Sequence, residues 1–173
     1  DPKPADLAPL PASYEAIELH RFLEVGRARL DPFGAPGRDA RVEGLFTDEL
    51  YATLWPYEDL WDEARRLRAG ARTPYGAVIA IETWLRSTGG FIYDEQPPAA
   101  GGLPPIAYFV AESKRGYCQQ FAGAMALMLR FLGIPSRVAV GFTSGTREDG
   151  GWTVTDYNAH AWVEVWFPGY GWL

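Results

Sequence analysis

Cysteine and histidine are scarce in this sequence, and their scarcity limits the chemistry open to it. The 173 residues contain one cysteine, Cys118, and two histidines, His20 and His160. A single cysteine cannot form an internal disulfide, and these three residues cannot build a closed zinc site of cysteine and histidine ligands. Cys118 therefore either packs as a small apolar residue or takes part in chemistry.

The sequence also lacks a concentrated basic segment and an uninterrupted apolar stretch. Sixteen Lys and Arg residues stand against 22 Asp and Glu residues, which gives a formal net charge of -6. Because phosphate binding needs a dense positive surface, nucleic acid is not expected as a partner. The longest apolar run, 121–140, is interrupted by two arginines and a proline, so it is not expected to cross a bilayer. The first residues carry no leader pattern.

What is abundant is apolar and aromatic surface. Hydrophobic residues make up 47% of the chain and aromatic residues 14%, including seven tryptophans. A chain of this length can bury roughly two thirds of the surface that it exposes when unfolded. We expect residues 1–12, which are rich in proline, to form an extended lead-in and residues 13–173 to form a single domain.

The first half of the chain has the patterns of helices. The interpretation of 14–30 is open between helix and strand, and we lean towards helix. The spacing then predicts a short helix over 48–55, helices over 57–69 and 74–87, a short strand over 91–93 and a short helix over 106–113. Thr73 is the predicted N-cap of the second of the longer helices, with Pro74 in its first turn.

The second half changes its period. Residues 118–132 predict a strong helix that ends at Gly133. Beyond it, 137–143, 152–156 and 160–167 alternate like strands, and we predict three consecutive antiparallel strands, with the turn at 147–151 joining the first two. Helices that precede strands along the chain favour an α+β domain with the helices on one side of an antiparallel sheet.

Cys118 stands where the loop 114–117 enters the predicted helix. The sulfur would face the unpaired amides of the helix N-terminus, where partial positive charge favours a thiolate, and we expect Lys114 and Arg115 to act in the same direction. Gly116 would let the backbone turn sharply beside the sulfur. The alternative is that Cys118 is a buried structural residue, as free cysteines usually are.

His160 opens a predicted strand downstream of Cys118. The order of cysteine and then histidine suits a cysteine nucleophile with a histidine base. Taken alone, however, a histidine at the start of a strand is often only a polar edge residue. The hypothesis of a catalytic pair is stronger when Cys118 and His160 are considered together with the sequences around them.

Several short motifs around these residues occur in a recognisable order. They are GYCQQFA (116–122), LRFLGIPSRV (129–138) and HAWVEV (160–165), preceded by AIETWL (80–85) and FIY (91–93). In this order they resemble the core of the transglutaminase-like superfamily, and the earlier two resemble its bacterial, membrane-anchored branch. The recognisable core runs from about residue 73 to residue 173, and we expect it to be truncated at its C-terminal end.

The resemblance implies a papain-like fold in which the cysteine begins a central helix packed on the sheet that carries the histidine. It implies that Cys118 is the nucleophile and His160 the general base of an acyltransferase or amidase. The substrate would be a glutamine-like or peptide amide of a protein or peptide, the intermediate a thioester, and the acceptor an amine or water. No cofactor or metal is expected. The parent would be a bacterial membrane protein with this domain on its extracytoplasmic side.

The same resemblance implies a third catalytic residue, an Asp a few residues after a Gly-Trp pair. The pair is Gly171-Trp172, so we expect the Asp beyond Leu173. Without it, we expect the turnover number of the 173 residues alone to be lower by about 10⁴-fold than that of a complete triad. Asp156 and Glu164, each four residues from His160, are interpreted as structural acids.

The oxyanion would be held by the Cys118 backbone N–H and a second donor, with Gln119 and Tyr93 as candidates. The competing hypothesis is a non-catalytic module of the same fold that binds proteins or cell-wall peptides.

Overall fold

The computed structural model describes residues 33, 35–44, 52, 54–167 and 169–173. The predictions for 1–12, 14–30 and most of 48–55 lie outside these residues. The helices described are α1 (Arg38–Glu43), α2 (Glu58–Ala69), α3 (Pro74–Thr83), α4 (Pro105–Tyr108) and α5 (Cys118–Phe131). The strands are β1 (Ile92–Tyr93), β2 (Arg115–Gly116), β3 (Ser136–Phe142), β4 (Thr146–Glu148), β5 (Gly151–Thr153), β6 (Ala159–Phe167) and β7 (Gly171–Trp172).

The helix predicted over 57–69 is confirmed within one residue as α2, and the predicted start of the next helix, at residue 74, is confirmed in α3. The Thr73 side chain accepts a hydrogen bond from the Gly76 backbone N–H at 3.0 Å, as predicted for the N-cap of α3. The last part of this helix differs from the prediction, because one turn of π-helix, Trp84–Thr88, follows α3. A second π-turn, Phe109–Ser113, follows α4 in the same way. Such turns are rare and frequently occur at functional sites.

Helix α5 lies at the centre of the molecule. It contacts helices α2, α3 and α4 as well as strands β3 and β6, and its buried residues include Met128, Leu129 and Phe131. Gly123 allows α5 and α4 to pack closely, since a Cβ at this position would lie 2.6 Å from the Ile106 side chain. The predicted α+β class is therefore confirmed: the helix that begins with the cysteine packs on an antiparallel sheet.

The C-terminal end of α5 is fixed by a glycine and by buried arginines. Gly133 has a φ of 66°, which is the left-handed conformation that the sequence predicts for a helix stop. Arg38 donates to the Leu132 carbonyl at 3.0 Å, and Arg130 donates to the Ser136 carbonyl at 2.8 and 3.0 Å. Burial lowers the pKa of Arg130 to about 10, so this guanidinium remains charged at neutral pH.

The prediction of three consecutive antiparallel strands is wrong in its middle member. Strand β3 pairs directly with β6, and β7 pairs with the other edge of β6. The segment between them folds back on itself as a separate hairpin, β4 with β5. The Thr143 N–H bonds to the Asn158 carbonyl at 2.8 Å and closes the base of this excursion, so β3 and β6 can be neighbours.

A tight turn conformation explains why the hairpin is separate. Gly145 has a φ of 71°, and a Cβ there would lie 2.2 Å from the Thr153 carbonyl oxygen. The backbone can therefore leave β3 sharply and pair locally, and the predicted strand over 152–156 becomes the three-residue strand β5. The excursion leaves from the end of β3 that lies opposite the start of β6, where His160 is located.

Candidate active site

Cys118 is the first residue of α5 and is partly buried. The turn before it is held by the Gln120 side chain, whose oxygen accepts a hydrogen bond from the Tyr117 backbone N–H at 3.2 Å. This is the reaching-back half of a capping box, and it fixes the direction in which the chain enters the helix. The prediction that the cysteine lies at a helix N-terminus is confirmed.

A short parallel strand pair positions the segment before Cys118. The Asp94 N–H donates to the Gly116 carbonyl at 2.8 Å, and Tyr93 lies beside Gly116 in the β1–β2 register. The expectation that Gly116 provides a sharp turn is wrong, because the positive φ, 53°, belongs to Lys114. Gly116 is needed for close packing instead, since a Cβ there would lie 2.9 Å from the Phe109 ring.

The two cations before the cysteine have other partners than the sulfur. The Lys114 ammonium lies 4.5 Å from the Phe91 ring centroid, and burial lowers its pKa. The Arg115 guanidinium pairs with the Asp94 carboxylate at 2.9 Å. Both cations therefore interact with groups other than the sulfur.

Tyr93 lines the cleft next to Cys118. It lies close enough to Cys118 to interact electrostatically with both the backbone and the side chain of that residue. Desolvation raises the pKa of Tyr93, and negative charge on Cys118 raises it further. The ring is stacked on Phe121 with centroids 6.1 Å apart, which holds the hydroxyl over the start of α5. The other oxyanion candidate, Gln119, accepts a hydrogen bond from the Tyr117 hydroxyl at 3.1 Å.

His160 lies on β6 directly opposite Gly141 of β3. It and Cys118 line the same cleft, whose volume is about 410 Å³. The other residues that line the cleft are mostly apolar: Glu82, Leu85, Arg86, Phe91, Tyr93, Phe121, Ala122, Met125, Ala161, Trp162 and Val163. The structure thus brings the two residues that the motifs single out, Cys118 and His160, to one concave and largely apolar site.

Neither nearby acid is bonded to His160. The Glu164 carboxylate pairs with Arg137 across the sheet at 2.6 Å. The Asp156 carboxylate accepts from the Tyr157 N–H at 3.1 Å in an exposed 3₁₀ turn. Within the described part of the chain, no side-chain hydrogen bond or ion pair involves the His160 ring.

Two charged cleft residues were not predicted from the sequence. Glu82 and Arg86 form an ion pair one helical turn apart, at 2.9 Å. Their spacing suggests only an ordinary stabilising pair on a helix surface. Their position in the cleft depends on the π-turn after α3 and on tertiary packing, for which the sequence has no local signal. No cluster of metal-ligating side chains occurs among the described residues, and none of the helices described there could cross a membrane.

A family model described as the transglutaminase-like superfamily matches residues 62–173. The chain belongs to this superfamily. The match begins eleven residues before the start expected from the motifs, so it includes most of α2. The recognition of a transglutaminase-like core from the motifs around Cys118 and His160 is confirmed.

Curated relatives and a solved structure support the assignment. The chain is 46% identical over 110 residues to the uncharacterized protein YebA of Bacillus subtilis and 42% identical over 112 residues to a protein-glutamine gamma-glutamyltransferase of Pseudomonas aeruginosa. These matches cover 57% and 64% of this chain, but only 14% and 16% of those proteins. The periplasmic domain of TgpA from Pseudomonas aeruginosa is similar in structure, with a TM-score of 0.60 and 36% identity over 66% of this chain and 40% of that one.

Proposed function

We propose that this transglutaminase-like domain catalyses acyl transfer from a glutamine-like or peptide amide, with Cys118 as nucleophile and His160 as general base. The observation that carries the proposal is that Cys118, at the first turn of α5, shares one cleft with His160. A nucleophile at a helix N-terminus and a base on a facing element are the parts that this chemistry needs. The name of the Pseudomonas aeruginosa relative, a protein-glutamine gamma-glutamyltransferase, supports the substrate class.

The reaction has two stages. The Cys118 thiolate attacks the amide carbon, a C–S bond forms, and protonated His160 donates its proton to the nitrogen as the C–N bond breaks. Ammonia or an amine leaves and a thioester remains on the sulfur. An acceptor amine or water then attacks the thioester carbon, gives a proton to His160, and releases the thiolate.

We propose the Cys118 backbone N–H and the Tyr93 hydroxyl as the two oxyanion donors. Tyr93 lines the cleft beside Cys118, and its ring is stacked on Phe121 of α5. Its phenol proton could therefore be donated to an oxyanion that forms next to the sulfur. Gln119, whose side-chain oxygen accepts a hydrogen bond from the Tyr117 hydroxyl, is the other donor candidate.

Replacing Tyr93 by Phe tests this assignment. We expect Tyr93→Phe to lower kcat by about 10²-fold with little change in KM for the acyl donor, because the lost bond forms only in the transition state. The measurement is steady-state hydroxamate formation. Tyr75→Phe, an exposed tyrosine that does not line the cleft, is the control. An unchanged kcat in Tyr93→Phe would remove Tyr93 from the oxyanion site.

We further propose that the domain lies on the extracytoplasmic side of a bacterial membrane-anchored protein and acts there on proteins or peptides. The support is its similarity to a domain described as periplasmic in TgpA. Protease accessibility of the domain in intact spheroplasts tests the location. Protection from added protease in spheroplasts, followed by digestion after lysis, would place it on the cytoplasmic side instead.

The proposed reaction is tested by incubating the full native chain with a glutamine-containing peptide and hydroxylamine. We expect hydroxamate and released ammonia in equal amounts, and released ammonia without hydroxylamine if water resolves the thioester. The alternative is a binding module of the same fold, for which Cys118 and His160 need not be functional. That alternative predicts peptide binding with neither product.

A further inference from the structure

The cleft carries two formal charges that the proposed mechanism does not use. Glu82, in the last turn of α3, and Arg86, in the π-turn that follows, line it together with Cys118 and His160. The remaining lining residues are mostly aliphatic and aromatic. A charged pair at the edge of an otherwise apolar cleft is the kind of polar feature that determines which ligand a pocket accepts.

The geometry of the pair leaves the carboxylate available. Arg86 bonds to one oxygen of Glu82, Oε1, at 2.9 Å, and within the described residues the second oxygen has no hydrogen-bond partner. The Arg86 side chain is 73% exposed, whereas that of Glu82 is 39% exposed, so the carboxylate is the more enclosed member. An ion pair this exposed is weak, and another cation can replace Arg86 at low cost.

The backbone that carries the pair is held rigidly. The Gly89 N–H donates to the Trp84 carbonyl at 2.7 Å and closes the π-turn. Trp84 is buried and packs edge-on against Phe91, with ring centroids 4.7 Å apart. The position of Glu82 relative to the cleft is therefore set by the core, as a specificity residue requires.

The second substrate of the proposed reaction has complementary chemistry. A primary alkylamine is mostly a cation at neutral pH, since a lysine ammonium titrates near pH 10.4, and in that form it can pair with a carboxylate before it loses a proton. Its methylene chain fits walls such as Leu85, Phe121 and Met125. Nothing in the reaction requires an anionic group at Arg86. The net charge of -6 also favours the approach of cations.

We propose that Glu82 selects the acceptor by receiving a primary alkylammonium, such as a lysine side chain, in exchange for Arg86. This inference rests on the proposed acyl transfer. In the step it serves, the ammonium loses one proton to solvent and its nitrogen attacks the thioester carbon. The C–N bond forms, the C–S bond to Cys118 breaks, and a second proton passes from the nitrogen to His160.

The test compares a cationic with a neutral acceptor in the full native chain. Cadaverine is charged at about pH 7.5, whereas hydroxylamine is largely neutral there. We expect Glu82→Gln to raise KM for cadaverine about three- to fivefold and to leave hydroxamate formation within about twofold of wild type. Arg86→Gln should lower KM for cadaverine because it removes the competing cation. Glu63→Gln, which breaks a similar ion pair on α2 outside the cleft, should change neither.

Each other result overturns the proposal in a different way. If Glu82→Gln affects both acceptors equally, or affects neither, Glu82 does not distinguish acceptors by their charge. A raised KM for cadaverine in Arg86→Gln with no change in Glu82→Gln would assign acceptor binding to Arg86. If wild type releases ammonia without incorporating amine, the protein is a hydrolase. The proposed acceptor site would then be wrong, while the proposed thioester chemistry would stand. The absence of both products would end the acyl-transfer proposal and this inference with it.

Discussion

Cys118→Ala is expected to abolish acyl transfer while the protein remains folded. The expected loss in kcat is at least about 10⁴-fold, since removal of a nucleophile eliminates the covalent route altogether. The cost in stability should be at most about 1 kcal/mol, because the thiol is only partly buried and its removal leaves a small space. Both values follow from the position of Cys118 at the surface of the cleft.

The measurement pairs hydroxamate formation with denaturant unfolding of the same samples. Cys118→Ser is the informative companion, because it replaces the thiol at the start of α5 by a hydroxyl of similar shape. It should be nearly as inactive as Cys118→Ala and equally stable. Substantial activity in the alanine variant would place the nucleophile elsewhere, and since Cys118 is the single cysteine of these 173 residues, it would end the thiol mechanism for this domain.

His160→Gln is expected to have the second largest effect, a loss in kcat of about 10³-fold or more. The imidazole takes the thiol proton and returns it to the leaving nitrogen, and a glutamine amide can do neither at neutral pH. The fold should persist, because His160 is exposed at the start of β6 and has no side-chain hydrogen bond within the described residues.

The other histidine offers a matched control. His20→Gln removes the same group from a part of the chain outside the described residues, and it should leave the turnover number and its pH profile unchanged. If His160→Gln keeps a turnover within tenfold of wild type, another group must act as the base.

Local signals in the sequence predicted the helical part of the fold. Thr73 and Gly133 mark a helix start and a helix stop through interactions within a few residues, and both were placed correctly. The strand order could not be predicted in this way. The hairpin β4–β5 depends on the conformation of Gly145 and on the Thr143–Asn158 bond that closes its base, and alternation alone does not distinguish a local hairpin from a third strand of the sheet.

The candidate site shows the same division. Short sequence motifs around Cys118 and His160 single out these two residues as the candidate catalytic pair. Lys114 and Arg115 interact with Phe91 and Asp94, both distant in the sequence, and charge spacing alone could not predict these partners. The π-turn that brings Arg86 to the cleft likewise has no local signature.

The pH dependence of Cys118 alkylation tests the central claim most directly, because the chain has one cysteine and the product can be counted by mass. Wild type and His160→Gln are treated with iodoacetamide from about pH 5 to pH 9. The account predicts that wild type reacts rapidly well below pH 8, whereas His160→Gln reacts more slowly there and needs higher pH. Identical profiles in both proteins, each half-maximal near the value of about 8.5 typical of a free thiol, would contradict a Cys118 nucleophile activated by His160.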